Sequence, residues 1–213
     1  WPLPSMAPLA HTLALLAMTV ATTAIEEVPL DMAPNSFDDQ YLNCSSAMTA
    51  ALPALKRSEL QNPVFAEIWA GTAEQWEGQQ PPASPLLSQD QATAVSVYLM
   101  NDLYDDFIVA MREAGRSSQE YRDKFHLKAL HFLLTDAMAR LRDAQGQKCH
   151  CVVREAQRGD TVRFGQFVSS TLCNETTPDL GTGTVFQVET CHGVGIPESF
   201  YYFSKKEVLI PPF

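Results

Sequence analysis

Apolar residues recur at helical spacing through the front half of the chain and collect into short β-branched and aromatic runs near its end. Asn62-Pro63 reads as a cap followed by proline at the first helical position, and Phe65, Ile68, Trp69 and Trp76 then share one helical face, which predicts a core contact. Residues 78–90, with Pro81, Pro82 and Pro85, predict an exposed loop. A second helix is expected across roughly 91–114, ending at Gly115, with Leu103, Phe107 and Met111 on one side. Ser117 and Glu120 form a capping box. The helix it opens is expected to carry Leu127, Leu130, Leu134, Met138 and Leu141 and to stop near Gly146. After Cys149 the texture changes, and 161–167, 184–191 and 207–210 predict strands.

Helices first and strands afterwards predict an α+β domain with a mostly antiparallel, strand-rich second half. No G-x-G-x-x-G turn occurs, so a doubly wound dinucleotide fold is not expected. The chain stops at Pro211-Pro212-Phe213 directly after a strand, without the partner strands a closed sheet needs, and is expected to be C-terminally incomplete.

The apolar run Leu13 to Ala24 is too short to span a bilayer and gives way to acidic sequence, which predicts a signal peptide over 1–24, without the usual basic start, and a single domain over 25–213. Lysine and arginine number 15 against 25 acidic residues, so the net charge of -10 excludes a general phosphate-tracking surface and hence nucleic-acid partners. Five cysteines, Cys44, Cys149, Cys151, Cys173 and Cys191, suit an oxidising compartment, and their odd number leaves one unpaired within the chain. Cys149-His150-Cys151 lacks two further ligands at a recognisable spacing, so disulfides are favoured and no metal is assigned. Asn43-Cys44-Ser45 and Asn174-Glu175-Thr176 are glycosylation sequons that agree with secretion.

Phe37-Asp38-Asp39-Gln40-Tyr41, the run FHLKALHFLL over 125–134, VRFGQF over 162–167, Thr190-Cys191 and EVLIPPF over 207–213 together resemble the vertebrate ecto-ADP-ribosyltransferase family, the arginine-specific mono-ADP-ribosyltransferases, collinearly from about Pro29 to the last residue. The resemblance implies the ADP-ribosyltransferase fold, NAD or NADP as co-substrate without a resident cofactor, and a secreted or outer-surface location. Members often carry a lipid-anchor signal beyond the stretch seen here. It also implies an arginine, serine and glutamate signature. Arg154, in Cys-Val-Val-Arg, resembles the arginine that holds the pyrophosphate, a task suited to a planar fork of donors. Ser169 heads Ser-Ser-Thr and resembles the serine that positions the nicotinamide ribose and the carboxylate, with Thr171 in place of a second serine. Glu207 resembles the catalytic glutamate, whose fixed charge meets the oxocarbenium-like cation that forms when nicotinamide leaves. Without the resemblance these three would read as a surface ion pair, an exposed strand serine and a solvated glutamate.

Two departures stand out. Glu155 follows the arginine where members usually have glycine, adding bulk and negative charge beside the expected phosphates. Lys205 occupies the acceptor position, two residues before Glu207, where arginine-specific members carry a second glutamate; Lys-Lys-Glu-Val-Leu-Ile-Pro-Pro is similar to the Dombrock blood-group member. The resemblance pairs Cys149 with Cys191 and leaves Cys44 to a partner beyond Phe213; parity alone suggests Cys151 with Cys173.

Three activities follow as expectations. The first is mono-ADP-ribosyl transfer from NAD to a protein arginine, a glycosyltransferase reaction releasing nicotinamide. The second is NAD hydrolysis, favoured by Lys205. The third is a catalytically silent surface antigen of the same fold, against which Glu207 and Ser169 speak.

Overall fold

A computed structural model describes residues 32–77, 86–100, 104–146, 148–155, 163–174, 185–197, 200 and 206–213; the expected signal peptide lies outside them. The described elements run α1 (Ser45–Glu59), α2 (Pro63–Glu77), α3 (Gln89–Leu99), α4 (Tyr104–Ala114), α5 (Ser118–Lys124), α6 (Lys128–Gln145), β1 (His150–Glu155), β2 (Val168–Leu172), β3 (Val185–Thr190), β4 (Val194–Gly195) and β5 (Glu207–Ile210). Helices therefore precede strands, as the apolar pattern predicts for an α+β chain.

Asn62 opens α2 as expected: its side-chain oxygen accepts from the Val64 and Phe65 amides at 3.0 and 3.2 Å, satisfying donors that a helix start leaves over. Phe65 and Trp69 are buried, and Ile68 and Trp76 pack against the same core. Leu130, Leu134, Met138 and Leu141 make α6 the spine of this core, which also takes Val95 and Val97 of α3 and Phe107 and Met111 of α4.

Three boundaries differ from the sequence expectation. The single helix expected over 91–114 is two, α3 and α4, with the expected core position Leu103 outside the described residues. Ser88 and Gln91 close a capping box, so α3 starts inside the expected loop; Asp105 and Asp106 sit in the first turn of α4, where acidic residues suit a helix N-terminus. The helix opened by Ser117, whose hydroxyl accepts from the Glu120 amide at 3.0 Å, ends at Lys124. Phe125 then adopts an extended conformation with its ring buried in the core, and α6 begins afresh at Lys128. The new helix has no local side-chain cap; the buried carboxylate of Glu59, from the end of α1, accepts from the Ala129 amide at 2.7 Å. Finally, residues 163–167 form no strand. Gly165 has φ +64 and a Cβ there would collide with that of Ala33, so this stretch is a tight crossing under the N-terminal segment. Arg163 fastens the crossing by pairing with Asp38 and donating to the carbonyls of Ala33 and Pro212 at 2.9 and 3.3 Å.

The described strands form one antiparallel sheet in the order β3-β1-β2-β5-β4. Alternation along β5 divides its faces: Leu209 joins the helical core, whereas Val208 and Ile210 join Val152 and Val168 in a smaller cluster on the opposite side. Gln145, at the end of α6, donates to the Gly195 carbonyl at 2.6 Å and accepts from its amide at 3.2 Å, holding β4 against the helical layer.

Candidate active site

Residues opposite one another in an antiparallel pair share a face, so the register of β2 and β5 decides which side chains meet. Ser169 lies across from Leu209 and Thr171 across from Glu207, which puts Ser169 and Glu207 on the side of the sheet that faces the helices. Ser170, across from Val208, lies on the other side. The Ser169 hydroxyl donates to Glu207 Oε2 at 2.7 Å, a charge-assisted bond with both groups half-buried.

Glu207 is the first residue of β5; its carbonyl accepts from the Ile196 amide at 3.0 Å next to β4, and its partner across the ladder in β2 is Thr171. Two residues before Ser169, the Phe167 carbonyl accepts from the hydroxyl of Tyr98, buried in α3, at 2.7 Å, which anchors the chain entering β2. Neither Tyr98 nor Gln145 is legible as a support in the residue pattern. Each acts on a segment far away in the chain through its side-chain polar group, and apolar periodicity records neither.

Arg154 is placed through its backbone. It lies in β1 opposite Phe186 of β3, one residue after Val153, whose partner in β2 is Thr171. Val153, Thr171 and Glu207 thus form one row across three strands, with Arg154 next to that row. The side chains of Arg154 and Glu155 lie outside the described residues, as does Lys205.

Two disulfides are present, Cys149–Cys191 and Cys151–Cys173, the first as the family pattern implies and the second as parity suggests. Cys44 is half-buried and unbridged among the described residues. No group of three or more His, Cys, Asp or Glu among the described residues stands in position to hold a metal. A small cavity between α6 and the last residues, lined in part by Met138, Val194 and Phe213, involves neither Ser169 nor Glu207.

The NAD:arginine ADP-ribosyltransferase family model matches residues 30–213. A chicken erythroblast NAD(P)(+)-arginine ADP-ribosyltransferase is 42% identical over 97% of this chain and 76% of its own, and human ecto-ADP-ribosyltransferase 4 is 34% identical over 88% and 63%. The chain thus spans roughly two thirds to three quarters of these relatives' length. Among solved structures, the eukaryotic mono-ADP-ribosyltransferase ART2.2 superposes with a TM-score of 0.72 at 31% identity, covering 86% of this chain and 85% of its own. An ART2.2 variant in complex with NAD gives a TM-score of 0.71 over the same shares. With the match running through the strands that hold Arg154, Ser169 and Glu207, the chain belongs to the NAD:arginine ADP-ribosyltransferase family.

Proposed function

We propose that this protein, on the outer face of the cell or in the extracellular space, cleaves NAD and transfers its ADP-ribose to an arginine of an acceptor protein. The observation that carries the reading is the bond between Ser169 and Glu207 on adjacent strands of the sheet. It orients the carboxylate that this reading places against the ribose. Arg154 is assigned to the pyrophosphate, Ser169 to the nicotinamide ribose and to orienting Glu207, and Glu207 to the anomeric centre.

The chemistry follows from charge. The bond from ribose C1 to the nicotinamide nitrogen breaks with its electron pair going to nitrogen, so the leaving group departs neutral and requires no acid. Positive charge builds on C1 and the ring oxygen, and the nearby fixed carboxylate lowers the energy of that state more than it lowers the energy of bound NAD. A guanidine nitrogen of the acceptor then forms the new bond to C1 and gives up a proton.

Lys205 favours a second reading, NAD hydrolysis. An ammonium two residues from Glu207 repels a cationic guanidinium, and water then takes the ribosyl group instead. The deciding experiment incubates the secreted protein with NAD labelled in its adenylate part and an arginine-rich acceptor. Label on arginine supports transfer and free ADP-ribose supports hydrolysis. Intact NAD with a correctly folded protein would defeat both.

A further inference from the structure

The sheet is built from two halves that meet along one short seam. On one side β1 and β3 share six partner pairs, from His150 opposite Thr190 to Glu155 opposite Val185. On the other, β2 and β5 share four, from Val168 opposite Ile210 to Thr171 opposite Glu207. Between them, β1 and β2 share two among the described residues, Val152 with Leu172 and Val153 with Thr171. Arg154 belongs to the first half, and Ser169 and Glu207 belong to the second. Any slip or opening of the seam therefore displaces the residue assigned to the pyrophosphate from those assigned to the ribose.

Cross-strand pairs are the unit of sheet stability, and two of them fix register weakly. The Cys151–Cys173 bridge lies at the end of this seam, immediately before Val152 and after Leu172, and the Cys173 amide donates to the Cys151 carbonyl at 3.0 Å beside it. The covalent ring it closes contains both Arg154 and Ser169. The other bridge, Cys149–Cys191, joins residues flanking β1 and β3, which the six-pair ladder already holds together.

We propose that Cys151 and Cys173 are positioning residues for NAD: their bridge locks the register between β1 and β2 and thereby sets Arg154 relative to Ser169 and Glu207. This inference rests on the NAD-cleaving reading of that site. A bridge that only stabilised the fold would have no reason to affect NAD more than its counterpart does. One that holds the seam acts on substrate binding directly, because a displacement on the order of 1 Å at a positioning group costs about a hundredfold in rate.

The test compares two double variants of the secreted protein, Cys151→Ser/Cys173→Ser and Cys149→Ser/Cys191→Ser, at a temperature where circular dichroism reports both folded. The first is expected to raise KM for NAD at least tenfold and to speed hydrogen exchange at the amides of residues 152, 153 and 171–173. The second is expected to change KM for NAD less than threefold and to leave those amides protected. Should the first variant fold poorly, Cys151→Val/Cys173→Val keeps an apolar cross-strand pair at the same register and is read the same way. Equal changes in KM for the two bridges, or unchanged exchange along the seam without Cys151–Cys173, would overturn the proposal. Failure of the unaltered protein to bind or cleave NAD would instead remove the functional reading beneath it, while the exchange measurement still decides whether the bridge holds the seam.

Discussion

The Ser169 hydroxyl donates to Glu207 Oε2 at 2.7 Å, from the second residue of β2 to the first of β5. The bond fixes one carboxylate oxygen and so limits how far the group turns. Glu207→Gln keeps the shape but removes the charge and is expected to lower NAD cleavage on the order of a hundredfold to a thousandfold. Ser169→Ala loses a charge-assisted hydrogen bond of about 1.5–3 kcal/mol, which corresponds to roughly tenfold to a hundredfold. Steady-state rates with labelled NAD check both; a Ser169→Ala variant with unaltered kcat and KM would show that the bond has no part in turnover.

Ser170 should respond in the opposite way, although it is the next residue. It lies opposite Val208, is buried, and its hydroxyl has no partner among the described residues. Ser170→Ala is expected to raise stability by about 1 kcal/mol with unchanged turnover, because an unsatisfied buried hydroxyl costs that order of free energy. Urea denaturation of the variant beside the unaltered protein measures it, and a lowered midpoint would refute the assigned face.

Lys205→Glu places an anion at the proposed acceptor position. Replacing repulsion by attraction there is expected to raise arginine transfer relative to hydrolysis by about tenfold or more, reduced by salt. The ratio of labelled acceptor to free ADP-ribose gives the answer. A ratio that stays flat while NAD cleavage continues would remove that role from position 205.

Two buried titratable groups predict how stability depends on pH. Burial pushes the Glu59 carboxyl up from 4.5 to about 7, against the opposing pull of amides at the start of α6. Its folded pKa is raised, so the stability it contributes is complete below about 4.5 and lost as pH rises through 7, a change of about 3 kcal/mol. Burial pushes His131 down from 6.5 to about 3. Its stability is present above 6.5 and lost as pH falls through 3. Between about 4.5 and 6.5 the two slopes oppose each other, and the unaltered protein is expected to vary little there. Glu59→Gln removes one slope, so stability of that variant should climb with pH from 3 to 6.5. Thermal midpoints at several pH values test this, and a flat Glu59→Gln profile would contradict it.

Much of the helical layer is legible without coordinates. The cap at Asn62, the apolar face led by Phe65 and Trp69, and the ladder from Leu130 to Leu141 are local patterns, and local patterns survive folding because each turn of helix reports its own amphipathicity. The breaks are less legible. Phe125 leaves the helix because its ring fills the core, and α6 restarts because a carboxylate 70 residues away in the chain replaces a cap. Strand content after Cys149 is visible as texture, but the crossing at Gly165 is not, since its positive φ and the close approach of Ala33 and Ser36 are set by a segment far away in the chain.

Sequence alone determined the family and the order of helices before strands, and it nominated Arg154, Ser169 and Glu207 as candidates, because motifs and residue spacing are local properties. Tertiary structure decided that Ser169 rather than Ser170 meets Glu207, that Cys151 pairs with Cys173, and that β1 and β2 join along a seam of two pairs. Those outcomes depend on strand register, and register is a relation between segments far apart in the chain, where a shift of one residue turns every side chain to the opposite face.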